Sequence, residues 1–87
     1  MNAVALKFIP EKDNAPRVIA SGSGFLGDKI HQIAELNQVP ILQDETLASS
    51  LLQVPVGKEI PEALYKSVAV VFSFLYKLEN ELKSRQA

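Results

Sequence analysis

The chain of 87 residues is long enough for one domain with one small core. Its composition, 47% hydrophobic and 22% charged, is typical of a folded domain and excludes a disordered tail. Nine basic and ten acidic side chains give a net charge of −1 without a basic cluster, so nucleic acid is not an expected partner. The lack of cysteine excludes disulfides, thiolate metal sites and a cysteine nucleophile.

Neither a secretory signal nor a membrane span is predicted. The first ten residues, MNAVALKFIP, have no basic segment before their apolar residues. The most apolar run, VAVVFSFLY at 68–76, is nine residues long, whereas a helix that crosses a bilayer needs about 20. We therefore expect a cytoplasmic domain that does not insert into a membrane.

The first two elements are predicted to be strands of one hairpin. Apolar side chains recur at every second position of the segment 3–9, which is typical of a strand. The polar segment PEKDNAP at 10–16 begins and ends with a proline, which cannot donate to a strand ladder. The β-branched run at 17–20 predicts the second strand, and the seven-residue connection favours a hairpin.

A helix of about three turns is predicted next, with Ser23 as its N-cap and Asp28 in its first turn. Its inward face is predicted to consist of Leu26, Ile30, Ile33, Ala34 and Asn37. The run VPIL at 39–42 then predicts a short buried strand. If this strand joins the sheet of residues 17–20, the crossover makes the two parallel and right-handed.

Two further helices are predicted in the C-terminal half. Asp44 and Glu45 favour the start of the first, and VPVGKEIP forms a turn around Gly57. Pro61 is expected at the first position of the last helix, whose apolar period outweighs a strand at 68–74. The tail at 83–87 is expected to fray. The order strand-strand-helix-strand-helix-helix over 1–87 predicts a single mixed α/β domain, with a mostly three-stranded sheet covered by about three helices.

A literal G-x-G-x-x-G is formed by Gly22, Gly24 and Gly27 between the second strand and the first helix. In dinucleotide-binding turns such glycines form the bend, admit the pyrophosphate and let the helix pack on the strand. Asp44 lies 17 residues beyond Gly27, near the spacing of a ribose-binding carboxylate. The sequence offers only one βαβ unit, however, so we expect a strand-to-helix turn and keep a nucleotide-binding module as an alternative.

No other residue set predicts an enzyme, a metal site or a cofactor. His31 is the only histidine, and its spacing from Glu35 is more typical of a solvated pair than of metal ligands. The serines lack the neighbouring base that nucleophilic catalysis requires: Ser21, Ser23, Ser49 and Ser50.

Four aromatic residues of the last predicted helix could form a partner-binding stripe: Tyr65, Phe72, Phe74 and Tyr76. Core packing is the preferred interpretation for the two phenylalanines, because helices with this spacing bury such faces. The tyrosines are expected at the edge of the core with their hydroxyls in water.

Three segments stand out together: AVALKF (3–8), KIHQIAELNQVPIL (29–42) and LASSLLQVPVGKEIPEALYKSVAVVFSFLYKL (47–78). They resemble the cytoplasmic domain of the substrate-specificity switch protein of type III export, the FlhB/YscU/SpaS family. VGKEIPEALYKSVA is the most specific part, and the likeness extends from Ala3 to Leu78. The resemblance implies a non-enzymatic role in bacterial flagellar or injectisome export, beside the inner-membrane export apparatus.

The sequence departs from that family at its first residues. Members carry a self-cleaving Asn-Pro-Thr-His loop just before the strand that AVALKF resembles. Aligned on Ala3, Met1 and Asn2 stand at the family's histidine and tyrosine, and the cleaving asparagine, the proline and the threonine have no counterpart. Self-cleavage is therefore not implied. The family's membrane helices, its linker and the strand before the loop are also not found, and SGSGFLG stands at an ordinary turn of the family.

The first strand is predicted to bind a partner. If it lies at a sheet edge, unpaired backbone groups make it a site for β-augmentation. The predicted residues are Ala3, Val4, Ala5, Leu6, Lys7 and Phe8. The expected partners are the export gate's cytoplasmic domain or a membrane-bound homologue of the switch protein, with a homodimer through this edge as a further expectation. A regulatory decoy of the full-length switch protein is an alternative function.

Overall fold

The described part of the chain forms a hairpin followed by three α-helices. The computed structural model describes the backbone of residues 1–86 and the side chains of 1–78 and Glu81. The elements are β1 (Ala3–Lys7), β2 (Arg17–Gly22), α1 (Phe25–Leu36), α2 (Glu45–Leu51), a 3-10 turn (Glu62–Leu64) and α3 (Tyr65–Gln86). The mixed α/β class is confirmed. The fraying predicted at 83–87 concerns residues outside the described side chains and stays a prediction.

The antiparallel hairpin has the predicted pairing but different strand ends. The register runs from Ala3 opposite Gly22 to Lys7 opposite Arg17, with a bulge that leaves Ile19 as the extra residue of β2. β1 stops at Lys7 because the turn uses the backbone of Ile9. The Ile9 N–H donates to the carboxylate of Asp13, and the Ile9 carbonyl accepts from the N–H of Asp13 at 2.7 Å.

The predicted third strand at 39–42 is wrong, because β1 and β2 form the only sheet among the described residues. The end of α1 accepts a backbone N–H hydrogen bond that a strand at 39–42 would need for its own pairing. Gln38 turns the chain with a φ of 57°, and the N–H of Val39 donates to the carbonyl of Ala34 at 2.9 Å. Pro40 follows without an N–H. The segment therefore has no regular secondary structure and forms no parallel crossover.

The core lies between β2, α2, the turn at 54–60 and the first turns of α3. Its buried residues are Ala15, Val18, Leu51, Val54, Ile60 and Val68, and Val4, Leu6, Leu47, Leu64 and Phe72 pack against them. The turn also binds the side of β2 that faces away from β1. The Val18 N–H donates to the carbonyl of Lys58 at 3.0 Å, and the N–H of Gly57 donates to the Val18 carbonyl at 2.7 Å.

Several apolar side chains predicted to be buried are exposed. On α1, Leu26 is 54% and Ile33 50% exposed, and Gly27 is the one buried residue. The strand at 39–42 that would have covered this face does not form. On α3, Phe72 packs on the core as expected, whereas Phe74 is 54% exposed. An apolar surface thus remains uncovered on the described chain.

The helix starts follow the sequence in part. Asp44 is the N-cap of α2, as expected, and its Oδ1 accepts the N–H of Leu47 at 3.0 Å. Ser23 is not the N-cap of α1, because Gly24 has that position with a φ of 59° and no side-chain bond. Pro61 precedes the 3-10 turn, so α3 begins four residues later, at Tyr65, and includes 68–74 as the periodicity predicted.

Candidate docking cleft along β1

β1 has one open edge. Its other edge pairs with β2, and β2 in turn is bound at its start by the turn at 57–60. Within the described residues, no backbone hydrogen bond joins the outer edge of β1, the edge that faces away from β2, to another segment. A strand that ends a sheet in this way presents unpaired N–H and C=O groups to an incoming chain.

A cleft of about 1050 Å³, the docking cleft, is lined by four of the five residues of β1. Residues 1–6 line it together with Ile19 and Ala20 of β2, and α1 and the segment 39–45 contribute further lining residues. Side chains of α3, including Phe72, complete the lining. Consecutive residues of β1 line the cleft although their side chains alternate in direction.

The structure divides the six residues predicted to bind a partner. Ala3, Val4, Ala5 and Leu6 line the docking cleft, whereas Lys7 and Phe8 do not. Phe8 lies instead at a smaller apolar pocket of about 280 Å³, whose other lining residues are Asn14, Ala15, Pro16, Tyr65, Val68, Ala69 and Phe72. The apolar parts of α1 and of 39–42 that line the docking cleft were missed, because their periodicity and β-branching predicted burial.

The lining of the docking cleft is mostly apolar. Its ionisable side chains are Asp44, Glu45 and His31, and Met1, whose ammonium group lies 2.8 Å from Asp28 Oδ1, also lines it. The Asp44 carboxylate caps α2, and His31 Nδ1 lies 2.9 Å from Glu35 Oε1. A carboxylate near the first turn of a helix is favoured by the helix dipole. The lining therefore contains charged residues of both signs.

The glycine motif packs backbone against backbone. Gly27 is buried in the first turn of α1, and a Cβ built there would overlap the carbonyl oxygen of Met1 and lie 2.9 Å from that of Gly22. Gly27, the third glycine, thus allows close packing of α1 on neighbouring backbone, which is the role that the dinucleotide-binding motif gives to this position, whereas the space beside Gly24 is open. Asp44 belongs to the docking cleft and to the cap of α2.

A second polar cluster lies on the hairpin loop. Asp13 is 8% exposed, and its carboxylate accepts from Nη2 of Arg17 at 2.9 Å and from the N–H of Ile9 at 3.1 Å. The hydrogen bond from Arg17, followed by that from Ile9, lowers the pKa of Asp13. Arg17 also reaches the carbonyl of Gly57 and lies 3.5 Å from the carboxylate of Glu59. The cluster therefore clamps the hairpin loop to the turn.

Other types of site receive no support from the described residues. Among them, no group of three histidine, aspartate or glutamate side chains could hold a metal ion. No helix in the described part of the chain combines the length and the apolar character needed to cross a membrane.

The fold and the docking cleft define a small α/β domain with helices around a hairpin that has one open edge. A family model described as "FlhB HrpN YscU SpaS Family" matches residues 2–75. The chain belongs to this family, which confirms the resemblance of its sequence.

Relatives and solved structures extend the match. YlqH of Bacillus subtilis (strain 168) is 46% identical over 84 residues, which are 97% of this chain and 90% of YlqH. The flagellar biosynthetic protein FlhB of Aquifex aeolicus (strain VF5) is 45% identical over 84% of this chain, but the match covers 21% of FlhB. The crystal structure of the cytoplasmic domain of FlhB from Shewanella putrefaciens superposes with a TM-score of 0.89 at 30% identity, over 97% of this chain and 69% of that domain.

Proposed function

We propose that this chain is a non-enzymatic interaction component of flagellar or type III protein export. It docks through the outer edge of β1 on the cytoplasmic domain of the export gate or on the membrane-bound part of an FlhB-type switch protein. Its place is the cytoplasm, beside the inner-membrane export apparatus. A role in export is supported by relatives named flagellar biosynthetic protein FlhB. This chain is similar to about one fifth of the length of each of them.

The open edge of β1 above an apolar cleft is the observation that supports docking most directly. Strand addition gives affinity through main-chain hydrogen bonds and specificity through pockets for alternate side chains. β1 has five residues, so an added strand of equal length is about 17 Å long. The apolar walls of the docking cleft would then lose their contact with water, which is favourable at about 25 cal/mol per Å² of apolar surface.

A capture experiment with two baits tests the proposal. The purified chain is applied to the immobilised gate domain and, separately, to the detergent-solubilised membrane part of the switch protein. We expect capture by at least one bait. Ala34→Trp places an indole in the docking cleft and should reduce capture about tenfold, because it fills the space beside β1.

The matched control is Ala63→Trp, which adds the same side chain at an exposed position outside the docking cleft. It should be captured like the unchanged chain. Circular dichroism confirms that both variants are folded. Failure of both baits to retain the unchanged chain, or equal capture of the two variants, would contradict docking at this edge.

A further inference from the structure

We propose that one face of α3 joins two copies of this chain as an antiparallel helix pair. This surface, the dimer face, consists of Val70, Phe74 and Leu78, with Lys66 before them and Glu81 after them. The docking cleft takes its α3 lining from other positions. The inference therefore goes beyond the proposed function, because it concerns a different surface and a different partner.

Three exposed apolar side chains form a stripe along α3. Val70, Phe74 and Leu78 follow one another at intervals of four residues, which places them on the same side of the helix. They are 66%, 54% and 43% exposed. None of the three lines the docking cleft or the smaller pocket beside Phe8. Apolar side chains at this spacing are typical of a helix face that packs against another surface.

The charges at the two ends of the stripe make it complementary to itself. Lys66 lies four residues before Val70, Glu81 lies three residues after Leu78, and both charged residues are exposed. A rise of about 1.5 Å per residue puts Lys66 and Glu81 about 23 Å apart along the axis. In an antiparallel pair with Phe74 facing Phe74, Lys66 of each copy is level with Glu81 of the other. Val70 of each copy then faces Leu78 of the other.

The same charges disfavour a parallel pair. Parallel helices in register would bring Lys66 to Lys66 and Glu81 to Glu81, and like charges that face each other across an interface repel. The parallel pair would also crowd the two cores, because Val68 and Phe72 hold the first turns of α3 to the core. In the antiparallel pair the two cores lie toward opposite ends.

The small size of the dimer face indicates a weak and reversible dimer. Stable interfaces bury about 1,200–2,000 Å² in total, and a contact between two helix segments of about 23 Å lies below that range. We therefore expect a dissociation constant in the micromolar range, with monomer present in dilute solution.

Sedimentation equilibrium of the full chain, from about 5 to about 500 µM, measures this association. The unchanged chain should pass from monomer to dimer within this range. Phe74→Glu should weaken the association about tenfold, because it places two carboxylates at the centre of the pair. Tyr76→Glu is the matched control, since Tyr76 is 65% exposed and two residues further around the helix lie on a different side. It should associate like the unchanged chain.

Charge reversal tests the antiparallel register at low ionic strength, where exposed charges are least screened. Lys66→Glu alone and Glu81→Lys alone should each weaken self-association about tenfold, because each creates two like-charge contacts. An equal mixture of these two variants should associate like the unchanged chain, since every mixed pair regains both opposite-charge contacts. Lys29→Glu, at an exposed position of α1, is the control for net charge and should have no effect.

The outcomes separate this inference from the proposed function. A chain that stays monomeric over the whole range would overturn the dimer, as would an association that Phe74→Glu leaves unchanged. A mixture that associates no better than its two components would overturn the antiparallel register. Phe74→Glu leaves the docking cleft intact, so the two export baits should capture it like the unchanged chain. Failure of dimerisation thus leaves export docking standing, and failure of capture leaves the dimer standing.

Discussion

Gly27 is the residue at which α1 and the chain entering β1 come closest. Its missing side chain lets the carbonyl of Met1 lie against the first turn of the helix. Gly24 differs, since a Cβ there would meet no atom within 4 Å and its positive φ alone favours glycine. Within one motif, Gly27 therefore allows close packing and Gly24 allows a positive φ.

Gly27→Ala should separate the start of β1 from α1. The added methyl overlaps a backbone oxygen, which cannot turn away as a flexible side chain can. We expect a loss of about 1–3 kcal/mol in the free energy of unfolding, measured by urea titration. Ala34→Gly, in the same helix, is the control for the lower helix propensity of glycine and should cost about 1 kcal/mol. An unchanged stability of Gly27→Ala would contradict the close approach.

The lowered pKa of Asp13 makes the free energy of unfolding depend on pH in the acid range. The hydrogen bond from Arg17 lowers its pKa in the folded chain, while in the unfolded chain an aspartate titrates near pH 3.9. A lowered folded pKa means that the unfolded state binds the proton more readily. The stabilising contribution is therefore complete well above about pH 4 and is lost as the pH falls through the folded pKa.

Asp13→Asn should remove that pH-dependent contribution. At pH 7 the variant should unfold at a lower urea concentration than the unchanged chain, and the two midpoints should converge as the pH falls through the lowered pKa of Asp13. Glu11→Gln is the control, because this exposed carboxylate has no recorded ion pair among the described residues. Parallel curves for the unchanged chain and Asp13→Asn over the whole pH range would contradict the clamp.

At the scale of elements, α2 depends on its cap. It is a helix of seven residues whose first free N–H groups include that of Leu47, bound by Asp44. Asp44→Ala should cost about 1 kcal/mol in the free energy of unfolding, and Asp44→Asn much less, because asparagine also caps. Thermal unfolding followed by circular dichroism measures both. Equal losses for the two variants would contradict the capping role.

The elements show which sequence signals determine the structure. The alternation at 3–9 and the period of α3 predicted their elements, because a repeated pattern reflects one buried face. The strand predicted at 39–42 does not form. The apolar run is short, the N–H of Val39 is bound to the end of α1, and Pro40 has no N–H to donate to a sheet. Once that strand is absent, the apolar face of α1 stays exposed.

Of the residues that line the docking cleft, those of β1 were predicted from the sequence to bind a partner, and those of α1 and 39–45 were not. The edge position of β1 was expected from the family resemblance and from the hairpin order. The contribution of residues 39–45 to the lining could not be foreseen, because they were assigned to the sheet and to a helix start. Apolar residues at helical spacing indicate a buried face, and the sequence does not state whether the chain itself or another protein buries it.

For the whole molecule, the proposed partner depends on an uncovered apolar cleft and an open strand edge in one folded domain. Monomeric proteins seldom expose contiguous apolar surface of this kind without a binding role. Deletion and overexpression of this chain in the cell distinguish its two proposed roles, working subunit and decoy. Loss of export on deletion indicates a working subunit, and loss on overexpression indicates a decoy that competes with the full-length switch protein.

Residue-resolved amide hydrogen exchange of β1, measured by NMR on the free chain and on its complex with the captured partner, tests the open edge most directly. In the free chain, the β1 amides that point away from β2 should exchange at least tenfold faster than those that point toward it. Partner binding should slow these same amides to the rate of their neighbours. Uniform protection of β1 in the free chain, or exchange that the partner does not alter, would contradict docking by strand addition.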